Sequence, residues 1–266
     1  MRTRSSALFM SCLQLILASA SFALTGPISS VTIPGTSAGT KTGLYLIAGD
    51  LVSLAASGQV NTLPPDQGNL ASPNGNGFPC TASCLLPSAQ FGALIGRLGE
   101  SGSWFFVGSS LTFNAFDTGM LYLAVNDTIH SNNTGQFTVG TSVTANASFS
   151  CAATSTALCL DGNRFRVQAF WRIPDGSSGN GQVVPYTSSD SGIFWFFGPA
   201  NWELMVKVLN GCGVNQRHWV FAAATTNVEF TLRVRDTNTG IVKMYFNPQG
   251  RAADALTDVS AFSGCS

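Results

Sequence analysis

The sequence predicts an all-β protein built as two β-sandwich domains. Three observations carry that expectation. Apolar and polar residues alternate at period two in several separate runs, as at Leu121, Leu123 and Val125. Clusters of Gly, Asn, Asp, Pro and Thr break these runs at short intervals. Beyond the N-terminal region, one short stretch alone, near 252–262, reads as helix. Many short alternating strands separated by frequent turns is the pattern of a sandwich.

The N-terminal region reads as an export signal. Arg2 and Arg4 precede an apolar stretch from Ala7 to Leu17, and small residues follow at Ala18, Ser19, Ala20, Ser21 and Ala23. A basic start, a short apolar core and an A-x-A-like end describe a secretory signal peptide. Residues 1–23 are assigned to it, with cleavage after Ala20 or Ala23. A membrane span needs about 20 apolar residues, so this stretch is too short to be one. The expected location is therefore secreted, cell-surface or periplasmic.

The strands follow in order. Arg164 to Ile173 alternates, with Phe165, Val167, Ala169, Trp171 and Ile173 on one side. Leu204, Val206 and Val208 repeat the pattern, as do Val228, Phe230, Leu232 and Val234. Period-two alternation predicts one buried and one wet face for each sheet. Asp117-Thr118-Gly119, Asp175-Gly176 and Asn247-Pro248-Gln249-Gly250 are turn signals between runs. The small, polar stretch 141–150 marks the domain boundary. That divides the chain into 24–148 and 149–266, each of ordinary domain length. Residues 61–79 form a long loop rich in Gly, Pro and Asn, a place where rigid sheets often carry function.

Composition excludes some partners. Charged residues are 10% of the chain, and 13 basic residues balance 13 acidic ones. Nucleic acid and anionic membrane surfaces select for basic patches, so neither is an expected partner. No later segment is long and apolar enough for membrane insertion. Cys12 lies in the signal; Cys80, Cys84, Cys151, Cys159, Cys212 and Cys265 remain, an even number that reads as disulfides in an exported protein. Locality suggests Cys80–Cys84, Cys151–Cys159 and Cys212–Cys265. A zinc site is disfavoured, because there is no Cys-x-x-Cys and His130 and His218 are the only histidines.

Three catalytic-looking motifs lack their context. Gly35-Thr36-Ser37-Ala38-Gly39 fits G-x-S-x-G, but a nucleophile elbow needs a strand before it and a helix after it. Asp117-Thr118-Gly119 and Asp190-Ser191-Gly192 resemble the paired signatures of aspartic proteases, and both are also ordinary turns. Neither histidine has an evident nucleophile partner. The chain is read as a non-enzyme. Asn126, Asn132 and Asn146 begin glycosylation-type triplets, which in so Asn/Thr-rich a chain read as plain turns.

One constellation carries chemistry. Residues 119–139 read as a strand, a loop dense in oxygen donors and a second strand. Calcium takes six to eight hard oxygens. Asp127 offers a carboxylate, Asn132 and Asn133 offer amide carbonyls, and Gly135 permits a tight return into the next strand. One carboxylate makes a modest site, to be completed by water or by sugar hydroxyls.

The first domain resembles the calcium-dependent, galactose-binding bacterial lectins of the PA-IL type. The resemblance rests on Gly49-Asp50-Leu51-Val52, Ala55-Ala56-Ser57-Gly58, residues 92–99, and Asn126-Asp127 with Asn132, Asn133 and Gly135, in that order over roughly residues 27–140. It implies a small jelly-roll-like, lectin-like sandwich. It implies Asp127, Asn132 and Asn133 as side-chain calcium ligands, with backbone carbonyls near Thr62 and His130. It also implies sugar contacts from Asp127 and Asn132, and from Asp66 and Gln67 in Pro65-Asp66-Gln67-Gly68. Two departures stand out: four residues separate Asp127 from Asn132 where the family has six, and Pro64 stands where the family has a sugar-contacting His. Residues 156–160, 164–167, 192–197 and 201–209 are similar to a module that recurs at the C-termini of exported bacterial proteins. Within it, Trp195, Phe196, Phe197 and Trp202 are either core or a binding platform.

The expectation is therefore a secreted, calcium-dependent carbohydrate-binding protein whose partner is a glycan or polysaccharide. Assembly into a homo-oligomer is left open. A structural or adhesive surface protein with an inactive lectin-like fold is the alternative, and an exported hydrolase is the weakest reading.

Overall fold

The computed structural model describes residues 26–62, 70–80, 84–145, 150–186 and 188–265. The expected signal peptide, the expected boundary at 148/149, and Asp66 and Gln67 lie outside the described residues. The first half contains β1 (Ser30–Pro34), β2 (Thr40–Leu46), β3 (Leu51–Asn61), β4 (Leu70–Ala71), β5 (Leu94–Leu98), β6 (Phe105–Phe106), β7 (Ser110–Asn114), β8 (Gly119–Val125) and β9 (Thr134–Thr144). The second contains β10 (Leu158–Leu160), β11 (Phe165–Arg172), β12 (Ser178–Asn180), β13 (Gln182–Val183), β14 (Ser191–Trp195), β15 (Leu204–Asn210), β16 (His218–Ala224), β17 (Glu229–Asp236), β18 (Ile241–Asn247) and β19 (Leu256–Phe262). A four-residue helix, α1 (Cys212–Asn215), and a 3₁₀ turn at His130–Asn132 are the helical pieces among the described residues. The chain is all-β, as its alternation predicts.

The strands form three antiparallel sheets. A four-stranded sheet runs β2-β8-β5-β6 and a five-stranded sheet runs β13-β14-β15-β16-β19. Between them lies a ten-stranded sheet with the main order β10-β11-β17-β18-β9-β3-β4. It crosses from one half of the chain to the other where Ile241 and Val242 pair with Thr144 and Val143. Two cores result. One packs Leu44, Leu121, Leu123, Val52, Leu54, Phe137 and Met244 between the four-stranded sheet and the large one. The other packs Phe165, Val167, Phe230, Leu232, Tyr245, Phe194 and Val206 between the large sheet and the five-stranded one. Strand β18 feeds both, Met244 to one side and Tyr245 to the other. Each large side chain so buried contributes about 1.5–3 kcal/mol.

This shared layer corrects one expectation. Strand β17 was predicted to have one wet face, yet all eight of its residues are buried. Phe230, Leu232 and Val234 face the second core. The opposite face is covered by the first half and satisfied by polar pairing. Glu229 binds Lys41 Nζ at 2.7 Å, Thr231 Oγ1 donates to the Gly43 carbonyl at 3.0 Å, and Arg233 binds Asp50 at 2.7 Å. Alternation marks the apolar face; it is silent on whether the polar face meets water or a partner.

A second correction concerns 252–262, expected as helix. Its residues 256–262 form β19, pairing Leu256, Thr257 and Asp258 with Ala222, Phe221 and Val220 of β16. Asp258 also accepts a hydrogen bond from the buried Tyr245 hydroxyl at 2.9 Å. Local alanine content favours helix weakly, and an open sheet edge with a buried hydroxyl to satisfy overrides it. The three disulfides join Cys80–Cys84, Cys151–Cys159 and Cys212–Cys265, the pairs that locality suggested.

Candidate functional site

Strand β8 is an inner strand of the four-stranded sheet, and it ends by delivering Asn126 and Asp127 into the interior. They are 0% and 2% exposed. Asn126 spends its whole amide on the neighbouring loop. Its Oδ1 accepts from Leu86 N at 2.9 Å, and its Nδ2 donates to the Leu86 and Gln90 carbonyls at 2.9 and 3.0 Å. Its carbonyl accepts from Gly92 N at 3.0 Å. Asn126 thus pins residues 86–92 against the chain that carries Asp127, and offers no atom to a ligand.

Asp127 opens an Asx turn: Ile129 N donates to Oδ1 at 2.9 Å. The chain then makes the 3₁₀ turn His130–Asn132, closed by Asn133 N donating to the His130 carbonyl at 3.1 Å. Strand β9 begins at Thr134, which pairs with Asn61 of β3, so Thr62 lies next to Asn133 at this end of the sandwich. A Cβ placed on Gly92 would lie 3.2 Å from Thr62 Cγ2, which sets Thr62 beside the loop that Asn126 holds. At Gly135 the backbone has φ +77°, and a side chain there would collide with the Gln59 carbonyl.

These turns leave oxygen atoms without partners. Among the described residues, five buried side-chain oxygens make no hydrogen bond: Thr62 Oγ1, Asp127 Oδ2, Asn132 Oδ1, Asn133 Oδ1 and Asn247 Oδ1. Four of the five belong to this one loop cluster. A buried carboxylate or amide oxygen without a donor costs free energy, and a set of them in one place calls for a cation or for water. Carboxylate, amide and hydroxyl oxygens are the hard donors that calcium takes. The donor set therefore fits a calcium ion, with Thr62, Asp127, Asn132 and Asn133 to hold it. The His130 carbonyl, which the resemblance placed near the ion, accepts from Asn133 N, and its ring Nε2 is buried and unpartnered.

Gly35 was not singled out by the sequence as part of this site. Asn133 Nδ2 donates to the Gly35 carbonyl at 3.0 Å, and this fixes which end of the amide is spent and leaves Oδ1 free. Gly35 N in turn donates to the Gly135 carbonyl at 2.9 Å. A Cβ on Gly35 would meet Thr134 O at 3.0 Å and Asn133 Cβ at 3.2 Å. Its sequence context points elsewhere, to the apparent G-x-S-x-G. That segment connects strands β1 and β2, with Ser37 Oγ accepting from Gly39 N at 3.3 Å, so the helix that a nucleophile elbow requires is not there.

The other motifs resolve into turns and core. Asp117 Oδ1 accepts from Thr118 N at 2.7 Å just before β8, and Asp190 N donates to Ser188 Oγ at 3.3 Å just before β14. Phe196 is core, 4% exposed, while Phe197 and Trp202 are 51% and 49% exposed. No helix among the described residues is long and apolar enough to cross a membrane.

No family model matches the chain, and no curated protein matches it. Among solved structures it is similar to the N-terminal domain of EclA, described as a PllA-like lectin. The two are 26% identical, the match covers 43% of this chain and 95% of that domain, and the TM-score is 0.35.

Proposed function

We propose that this protein is an exported carbohydrate-binding protein whose N-terminal half binds glycan through a calcium ion held by Asp127, Asn132, Asn133 and Thr62. The observation that supports the reading is the gathering of four unpartnered buried oxygens in one loop cluster. Calcium supplies a hard centre to which vicinal sugar hydroxyls can add. Asp127 provides the one carboxylate of the loop, and its Asx turn occupies Oδ1 and leaves Oδ2 without a partner. Asn133 is oriented by Gly35, and residues 86–92 are held in place by Asn126. Asp66 and Gln67 are proposed as direct sugar contacts. One carboxylate makes the affinity modest, with Kd on the order of 10⁻⁴–10⁻³ M, the range of extracellular calcium modules.

A glycan array probed in millimolar calcium and again in EDTA tests the whole reading. Binding in calcium that disappears in EDTA is expected. Calcium binding without any glycan signal would leave the surface-protein reading instead, with the site serving stability.

The role of Gly35 is tested separately. Its φ lies outside the left-handed region, so alanine suits the backbone, and the added Cβ acts by pressing on Asn133, Thr134 and the Gly135 carbonyl. Gly35→Ala is expected to weaken calcium binding about 10–100-fold, the usual effect of disturbing a residue that orients a metal ligand. The melting temperature in EDTA should change little. Calorimetry showing unchanged calcium affinity would remove Gly35 from the site.

A further inference from the structure

The sulfur atoms of the three disulfides face different surroundings. Cys84 Sγ lies 3.7 Å from the Asn126 carbonyl oxygen, and Cys151 Sγ lies 3.7 and 3.8 Å from those of Leu158 and Phe165. A carbonyl oxygen carries partial negative charge and opposes an anion forming on sulfur. Cys212 Sγ lies instead 3.5 Å from His218 Nε2. We propose that the Cys212–Cys265 disulfide is a thiol–disulfide exchange site for small dithiols, in which Cys212 is the leaving sulfur and His218 its proton carrier.

His218 is buried at the start of β16, 2% exposed, and both ring nitrogens are engaged. Arg164 Nη1 donates to Nε2 at 2.8 Å, so Nδ1 carries the proton and donates to Asp161 Oδ2 at 2.6 Å. Asp161, His218 and Cys212 thus stand in the carboxylate–imidazole–sulfur order that stabilises thiolates elsewhere. Arg164 adds a cation at the Nε2 edge of the ring and is itself held by Asp236 at 2.8 Å. It also donates to the carbonyls of Gly264 and Ser263 at 2.8 and 3.4 Å, so the tail that carries Cys265 stays docked. Exposure does not set this bridge apart, since Cys151, Cys159, Cys212 and Cys265 are all half-buried. Nor is the cluster of Cys212, His218 and Cys265 a metal centre in this state, although their ligand atoms lie within 4.8 Å of one another. Both sulfurs are joined to each other, and a metal takes thiolates.

The exchange balances. A thiolate of the external dithiol bonds to Cys265 Sγ, the Cys265–Cys212 bond breaks, and its electron pair leaves on Cys212 Sγ. Arg164 Nη1 first releases Nε2 while keeping its bonds to Asp236 and the Gly264 carbonyl; His218 Nε2 then takes up the proton released when the attacking thiol ionised and passes it to that sulfur, with Asp161 balancing the charge. The reagent's second thiol then ionises and displaces Cys265, which takes that proton. The reagent departs as a cyclic disulfide, oxidised by two electrons, and Cys212 and Cys265 remain as thiols. With its tail still docked by Arg164, the pair is set to reclose.

The test is graded reduction of the folded protein by dithiothreitol in EDTA, so that the calcium reading does not enter. Samples are quenched with iodoacetamide and mapped by mass spectrometry. Cys212–Cys265 is expected to open at least about tenfold faster than Cys151–Cys159. His218→Gln, which keeps hydrogen bonding but carries no proton, and Asp161→Asn are each expected to slow that bridge alone by about tenfold. Should His218→Gln fail to fold, Asp161→Asn and the ordering within the unaltered protein still decide. Equal rates for the three bridges, or a Cys212–Cys265 rate untouched by Asp161→Asn, would overturn the proposal.

Discussion

Asp127→Asn is expected to abolish the stabilisation by calcium while leaving the fold intact. In the unaltered protein, free calcium at a hundred times Kd stabilises the native state by about 2.7 kcal/mol through mass action. For a chain of this length each kcal/mol moves the melting temperature by about 2–4 °C, so the expected rise is about 5–10 °C. Asn keeps the Asx turn to Ile129, because its Oδ1 accepts the same hydrogen bond, and it nearly keeps the volume. It removes the negative charge on Oδ2, the one full charge among the four free oxygens. In EDTA the sign reverses: an unpartnered buried carboxylate is a liability, so the variant should melt at or above the unaltered protein. Differential scanning calorimetry with calcium and with EDTA reads both arms. A variant that keeps the calcium shift would sink the assignment of Asp127. An unaltered protein with no shift at several millimolar calcium would sink the metal site.

What was legible beforehand follows from the range over which each signal acts. Phe165, Val167 and Ala169 announce a buried face because strand period is a property of consecutive residues, and the structure buries all three. Cysteine pairing by proximity holds for Cys80–Cys84 and Cys151–Cys159 because separations of 4 and 8 residues keep the ends close, whereas Cys212 and Cys265, 53 residues apart, are brought together by the pairing of β16 with β19. The polar face of β17 was misread because Glu229, Thr231 and Arg233 look solvated until Lys41, Gly43 and Asp50 arrive from the other half of the chain. The oxygen donors of Asp127, Asn132 and Asn133 stood close in sequence and were visible. Gly35, 98 positions from Asn133, carried no local sign of its contact. The hydroxyl of Thr62 was likewise invisible, since the resemblance pointed only to a carbonyl near it.

The second large effect concerns the seam between the halves. Asp50→Ala is expected to destabilise the protein by about 3–5 kcal/mol, the cost of stranding a buried charge. Arg233 Nη2 donates to Asp50 Oδ1 and Oδ2 at 2.7 and 2.9 Å, and the two side chains are 3% and 4% exposed. Burial holds the Arg233 guanidinium below its ordinary range, Asp50 opposes that shift, and the nearby Arg235 and Arg166 add to it. Removing the carboxylate therefore leaves a buried guanidinium beside two others, in surroundings that screen it poorly. It also frees Ile47 N, which donates to Asp50 Oδ2 at 2.8 Å. Urea unfolding should show the midpoint falling on the order of 1–2 M with the slope unchanged. The control is the pair Asp50→Leu with Arg233→Met. Replacing both charges with apolar groups of similar size is often neutral or stabilising, so the double variant should recover most of the loss. A single-variant loss below about 1 kcal/mol would place the pair in effectively wet surroundings. Full loss without recovery in the double variant would mean that Asp50 acts through the Ile47 turn. The unfolding profile carries a further consequence. Because β18 pairs with β9 and supplies Val242 and Met244 to the first core, the halves cannot separate without opening that core. One cooperative transition is therefore expected, seen equally by Trp104 in the first half and by the tryptophans of the second.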